Sequence, residues 1–272
     1  MAQKLSAAFG QSVIVDNRAG AATTVASNYT AKAAPDGYTI YAGGTSLVIN
    51  PTLQGNVQYD PHKSFELVSL MSLTPFILQV NADFPAKNMA ELLAYLQAGA
   101  SRVNVASPGS GSMSNMAAEL FRARTGLKYT LVPYRGGAQG GQDVAAGNVQ
   151  MMFGNLPEFL GQLSAGNLIP IAFGGASRAP AFPNVPLMSQ YLPGYRVDNW
   201  FAVFGPRNLP AELVDLWNKV LRTALAKPEI QKRYAENAME IVTGSPAELK
   251  ATIASDRKKW QEIIQAVGMK NE

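Results

Sequence analysis

Val103-Asn104-Val105-Ala106-Ser107-Pro108-Gly109-Ser110-Gly111-Ser112-Met113-Ser114 reads as a buried strand, a tight loop of small residues and the first turn of a helix. The apolar run is short enough for a strand and is broken by Pro108 and two glycines. Beyond the loop, Met113, Met116, Ala117, Leu120 and Phe121 recur at helical spacing. A strand that turns directly into a helix is the unit of an α/β fold. Gly109 and Gly111 let backbone approach backbone, and the hydroxyls of Ser110, Ser112 and Ser114 stand where the unpaired N–H groups of a helix start need partners. Two readings fit: a carboxylate or phosphate held by N–H donors at the positive end of the helix dipole, or a strand-to-helix turn whose serines only cap.

Outward from this stretch the same alternation continues. The pattern predicts a helix stopped by Gly10, a strand over Gln11 to Asn17, a Gly/Ala loop and a helix ended by the turn Pro35-Asp36-Gly37. It predicts a strand over Tyr38 to Ala42 running into Gly43-Gly44-Thr45-Ser46, a second small hydroxyl-bearing loop, with an irregular segment from Asn50 to Pro61. Further strands are expected around Phe76 to Val80, Lys128 to Pro133, Val149 to Phe153, Leu168 to Phe173 and Trp200 to Phe204. Asn88 and Glu91 form a capping-box pattern ahead of a helix. Two long amphipathic helices are expected to end the chain, the second opening at Ser245-Pro246-Ala247-Glu248. Strands alternating with helices imply parallel sheets, with loops gathered at the strands' C-terminal edges where such proteins bind ligands.

Length and composition limit the chemistry. A chain of 272 residues suits two average domains. With 47% hydrophobic and 15% charged residues it describes a packed globule rather than a disordered chain. The net charge of +4 is mild, the basic residues are scattered apart from Arg257-Lys258-Lys259, and no nucleic-acid footprint is expected. There is no cysteine, which excludes disulfides and thiolate chemistry. No run of eighteen apolar residues suggests a transmembrane helix, and the N-terminus lacks the pattern of a secretory signal.

Catalytic constellations are scarce. The single histidine, His62, lies in the polar loop Tyr59-Asp60-Pro61-His62-Lys63, and a Ser-His-Asp triad would have to use it. No serine sits in a Gly-x-Ser-x-Gly elbow, and Gln142 stands where a phosphate loop requires lysine. No catalytic residue, cofactor or metal site is therefore expected. Arg135, between Tyr134 and Gly136, reads either as an anion partner or as a surface arginine beside a turn.

An ordered set of short segments carries a resemblance. It runs Val13-Ile14-Val15-Asp16-Asn17-Arg18-Ala19-Gly20, Ala31 to Thr39 with Pro35-Asp36-Gly37-Tyr38, Asn50-Pro51, Ser107 to Ser112, Glu119-Leu120-Phe121, Val132 to Gly137, Gly147 to Phe153 and Trp200-Phe201. Together these resemble the tripartite tricarboxylate transporter substrate-binding proteins, the Bug or TctC-like receptors. The resemblance implies a two-lobe periplasmic-binding-protein-like (type II) α/β fold. Each lobe would be a mainly parallel sheet flanked by helices, and two crossing strands would join them. Residues 1–79 with 205–272 would form the first lobe and 80–204 the second. It further implies a monomeric periplasmic receptor that holds a small carboxylate solute in the interlobe cleft and passes it to the membrane components of a tripartite transporter. By position, Thr45 and Ser46 of the first lobe and Ser107, Gly111, Ser112, Arg135, Gly136, Gly154 and Asn155 of the second would bind the ligand. Gly154 occupies a place where dicarboxylate receptors often carry aspartate, and Asn115 a place where histidine is common. The family pattern opens with an apolar strand and a Pro-x-Gly-Gly loop, and the resemblance implies that this chain lacks both. A hydrolase or transferase acting on a small carboxylate, and a sensor module with the receptor fold, remain the alternative functions.

Overall fold

The computed structural model describes residues 1–54, 57–99 and 103–269. The chain divides into two compact units, one formed by Met1–Leu73 with Trp200–Ile264 and the other by Thr74–Asn199 with Gln265–Met269. The divisions fall after residues 73 and 199 rather than at the expected 79 and 204. The reason is pairing: the strand after Pro75 belongs wholly to the second sheet and the strand from Asn199 to the first.

In the first unit the elements are α1 (Ala2–Phe9), α2 (Thr24–Ala31), β1 (Tyr41–Gly44), α3 (Ser46–Leu53) and β2 (Phe65–Thr74). In the second they are β3 (Phe76–Asn81), α4 (Met89–Gln97), β4 (Asn104–Ser107), α5 (Met113–Thr125), β5 (Thr130–Pro133), α6 (Gly137–Ala145), β6 (Met151–Asn155), α7 (Leu160–Ser164) and β7 (Leu168–Phe173). The chain returns through β8 (Asn199–Pro206) to α8 (Ala211–Leu225), α9 (Pro228–Glu236), β9 (Glu240–Ile241) and α10 (Pro246–Val267).

The first sheet has the order β1-β8-β2-β9 and the second β5-β4-β6-β3-β7. The second is mixed, and in the first β1 runs antiparallel to β8 and β2 antiparallel to β9, which corrects the expectation of mainly parallel sheets. Parallel pairing occurs where a helix carries the chain back across the sheet: β4 pairs with β5 and β6 in parallel, the crossovers being α5 and α6. Where the chain enters or leaves a unit it runs against its neighbours: β3 is antiparallel to β6 and β7, and β8 is antiparallel to β1.

Alternation along β8 sets the first unit's core. Trp200, Ala202 and Phe204 face one side, with Tyr41, Leu47, Phe65, Leu249 and Ile253, while Val203 faces the other with Leu5, Val68, Trp217 and Leu221. The first sheet is thus covered by α3 and α10 on one face and by α1 and α8 on the other. In the second unit every residue of β3 is buried, as a central strand between two neighbours and two helical layers requires.

Three local expectations are corrected. Gln11 to Asn17 is not a strand: no described residue pairs with it, and Ile14 and Val15 are 84% and 67% exposed. An apolar run supplies the side chains of a strand but not the ladder partner. The next strand begins at Tyr41 rather than Tyr38, so Gly43 and Gly44 lie within it. Ser46 to Leu53, in part read as irregular, is a helix despite Pro51, because Leu47, Val48, Ile49 and Leu53 are all buried and their burial outweighs one missing backbone hydrogen bond. A further short helix, α9, precedes α10, its start marked by Pro228.

Candidate functional site

The loop between β4 and α5 is shaped by its glycines. Gly109 and Gly111 have φ of +102° and +79°, a region that residues with a Cβ rarely enter. This brings Ser112 N–H to the Gly109 carbonyl at 3.2 Å and turns the chain directly into α5. Ser112 is the N-cap: its Oγ accepts from Asn115 N–H at 3.1 Å. The cap uses one of the orphan N–H groups of the first turn and leaves those of Met113 and Ser114 without an intrahelical acceptor.

Below the cap, Asn115 Nδ2 donates to Ser107 Oγ at 3.3 Å. Asn115 is 7% exposed, Ser107 2% and Ser112 8%. The Asn115 Oδ1 atom is buried and has no hydrogen-bond partner. Buried polar atoms are normally paired, so this orphan marks a position where a bound group or water completes the bonding. Asn115 was not among the residues picked out for binding. Its signal in the sequence is its place three residues after Ser112, where the side chain of a capping box turns back over the helix start.

Two neighbouring strand ends open beside this loop. Pro133, the last residue of β5, pairs with Ser107, and Tyr134 N–H donates to the Ser107 carbonyl at 2.7 Å. Tyr134 Oη donates to Asp143 Oδ2 at 2.7 Å, fastening the loop to α6. Desolvation, with the Asp143 carboxylate second, pushes that phenol up to about 12. Arg135 is exposed and forms no ion pair among the described residues. Gly136 is the N-cap position of α6, in extended conformation and with no side-chain cap.

On the other side, Asn155 ends β6. Its Nδ2 donates to Glu158 Oε1 at 2.6 Å and its Oδ1 accepts from Asn199 Nδ2 at 2.6 Å. The Glu158 carboxyl is held above the ordinary carboxylate range, first by desolvation, against which the Asn155 hydrogen bond works in the opposite direction. As a residue Glu158 is exposed, yet its Oε2 lies over Gly137 so closely that a Cβ there would overlap it. Gly154 is buried under the ring of Phe159, which would overlap any Cβ, so this position packs and presents no side chain.

The second unit therefore brings Ser107, Gly111 and Ser112 into one loop, with Arg135, Gly136 and Asn155 at the adjacent strand ends. Thr45 and Ser46 belong to the first unit. Thr45 is fully buried, and its Oγ1 accepts from Trp200 N–H at 3.3 Å, tying the start of α3 to β8. Ser46 is half-buried at the first position of α3. His62 Nε2 and Nδ1 have no hydrogen bond to a serine or carboxylate among the described residues; the residue's backbone N–H donates to Asp60 Oδ1 at 2.8 Å. Among the described residues no three His, Cys, Asp or Glu side chains converge as a metal site would need.

A model of the family described as tripartite tricarboxylate transporter family receptor matches residues 1–269. The fold is similar to that of a Rhodopseudomonas palustris protein solved with adipate, with a TM-score of 0.95 and 30% identity over 100% of this chain and 91% of the other. It is similar to the periplasmic binding protein BugD at a TM-score of 0.95 and 27% identity, covering 100% and 92% of the two chains. It is also similar to MatC from Rhodopseudomonas palustris with bound malate, at 0.90 and 26%, covering 97% and 91%. These likenesses establish the two-lobe type II binding-protein fold, an α/β architecture with mixed sheets.

Proposed function

We propose, because the chain belongs to the tripartite tricarboxylate transporter family of receptors, that it is an extracytoplasmic receptor which binds a small carboxylate solute and delivers it to a tripartite membrane transporter. The family is one of solute-binding proteins, and relatives of this fold have been solved with adipate and with malate. The observation that carries the reading is the loop from Ser107 to Asn115: buried hydroxyl and amide groups, two left-handed glycines and unpaired N–H groups at the start of a thirteen-residue helix. This constellation offers donors to an anion and holds no titratable side chain.

In this reading Ser107, Gly111 and Ser112 hold one carboxylate through neutral donors, Asn115 positions Ser107 through its Nδ2, and Arg135 and Gly136 lie at the margin. Binding by neutral donors allows release, which a transport receptor needs and which a buried ion pair would slow. Asn155 lines the neighbouring edge. The receptor acts as a monomer in the periplasm and turns nothing over.

The test is a thermal-shift screen of mono-, di- and tricarboxylates, adipate and malate included, followed by calorimetry on the best ligand and analysis of the mixture for chemical change. A carboxylate that raises the melting temperature, binds with one-to-one stoichiometry and is recovered intact supports the reading. No stabilisation by any carboxylate, or conversion of the ligand, overturns it.

A further inference from the structure

The edge that offers donors to an anion also carries an uncompensated negative charge. Glu158 ends the single turn Leu156–Glu158 that follows β6, and β6 lies beside β4, with Met152 opposite Ala106. Ser107 is therefore level with Phe153, and Asn155 lies two residues further along a strand about 5 Å away. On the other side of β4, Pro133 of β5 is level with Ser107 and leads within four residues to Gly137. The Glu158 carboxylate bridges these two strand ends. It is fixed from one side by the 2.6 Å hydrogen bond from Asn155, whose own oxygen is held by Asn199 at 2.6 Å. From the other side it is seated against Gly137, where only a glycine leaves room.

No cation among the described residues neutralises it. Among the described residues Glu158 forms no ion pair, and the exposed Arg135, two positions before Gly137, does not reach it. Its donor among the described residues is a neutral amide, which works to lower its proton affinity, and desolvation raises it by more. A second acceptor on this edge, Asn115 Oδ1, has no hydrogen-bond partner among the described residues. Holding a carboxylate rigidly beside an anion site without a counter-charge is unfavourable unless a ligand supplies what is missing.

We propose that Glu158 is a specificity-determining residue, which selects a carboxylate solute bearing a hydrogen-bond donor, above all an ammonium group, at its far end and rejects one bearing a second carboxylate there. The inference rests on the carboxylate reading of the Ser107–Asn115 loop and adds the chemistry of the other end of the ligand. A cation within reach of Glu158 gains Coulomb energy and a charge-assisted hydrogen bond, whereas a second anion meets like-charge repulsion in a partly desolvated setting.

The experiment uses four probes that differ only at the fourth carbon: butyrate, 4-hydroxybutyrate, 4-aminobutyrate and succinate. Each is titrated calorimetrically into the full chain and into Glu158→Gln and Glu158→Asp, with melting curves to establish that the variants fold. For the unaltered protein the expected order is 4-aminobutyrate, 4-hydroxybutyrate, butyrate, succinate, with at least a tenfold span between the extremes. Glu158→Gln is nearly isosteric and keeps an acceptor for Asn155. It should weaken 4-aminobutyrate and strengthen succinate, each by at least fivefold, while changing butyrate less than twofold. Glu158→Asp keeps the charge and should keep the order.

An unchanged order in Glu158→Gln, or an equal shift of all four probes, overturns the role of Glu158 while leaving the carboxylate reading intact. Failure of all four to bind the unaltered protein overturns the role of Glu158, and the carboxylate reading falls with it only if the full carboxylate screen also finds no ligand.

Discussion

The ring of Phe159 fills the space that a side chain on Gly154 would need: a Cβ there would overlap its Cε2 and Cζ atoms. The same ring meets the Cβ direction of Gly141 through Cε1 and Cδ1, so one buried aromatic locks α6 against the end of β6. Gly154→Ala should therefore overpack the second unit and destabilise it by about 1–3 kcal/mol. Gly161, in α7, has open space around its Cβ direction and no positive φ. Gly161→Ala should stabilise by about 0.5–1 kcal/mol. Denaturant unfolding of both variants measures the contrast, and a harmless Gly154→Ala would show that the ring has room to move.

Ser112 has two tasks that a single substitution separates by size. Its Oγ caps α5 through Asn115 N–H, and loss of such a cap costs about 1 kcal/mol of stability. A hydrogen bond to a charged ligand is worth about 1.5–3 kcal/mol. Ser112→Ala should accordingly lower the melting temperature slightly and raise the dissociation constant of the best carboxylate by at least tenfold. Calorimetry that finds affinity unchanged would confine Ser112 to capping.

The pH dependence of stability follows from the direction of the Glu158 shift. Its folded-state proton affinity is above the ordinary carboxylate value, so the native state binds the proton more tightly than the unfolded chain. The associated stability is fully present below the ordinary value near 4.3 and is lost as pH rises through the folded value. Glu158→Gln should thus raise the melting temperature at pH 7 by about 1–2 °C, a modest amount because solvent screens an exposed residue. The gain should vanish near pH 4. Melting curves between those limits test this, and a gain that is constant with pH would assign it to packing instead.

Trp200 and Asp256 are joined across the first unit, the indole Nε1–H donating to Asp256 Oδ2 at 2.6 Å. Trp200 is 2% exposed, so removal of the acceptor leaves its N–H unsatisfied. Asp256→Ala should cost about 1–3 kcal/mol, and Trp200→Phe, which removes the donor as well, should recover part of that loss when combined with it. A double-mutant cycle in denaturant measures the coupling; additive effects would show that the bond contributes nothing.

His62 lies in a polar turn of the first unit, with its backbone rather than its imidazole engaged by Asp60. His62→Ala should change carboxylate affinity by no more than a few tenths of a kcal/mol. A tenfold loss in the same titration would restore the histidine to functional consideration.

Much of this molecule was decided by local sequence. Gly109, Gly111 and Ser112 set the turn after β4 because positive φ and N-capping are properties of single residues and their immediate neighbours. Asn88 and Glu91, the stop at Gly10 and the helical spacing of Met113, Met116 and Leu120 are local in the same sense, and each appears where the pattern placed it. The family, too, was legible, since its signature is an ordered series of such short segments.

Tertiary structure decided what depends on a partner distant in sequence. Val13-Ile14-Val15 has the side chains of a strand, but pairing is a property of two segments, and no described segment pairs with it. Ser46 to Leu53 overrides Pro51 because burial against the first sheet outweighs a lost backbone bond, and burial is not written in eight residues. Sheet direction depended on which strands enter and leave each unit. At the candidate site, the sequence named Ser107 and Ser112, but only folding brought Asn115 under them and laid the Glu158 carboxylate over Gly137, twenty-one positions away. Local conformation is set by the dihedral preferences and hydrogen bonds of adjacent residues; a buried orphan oxygen or an unneutralised charge exists only once the rest of the chain has excluded the water that would have satisfied it.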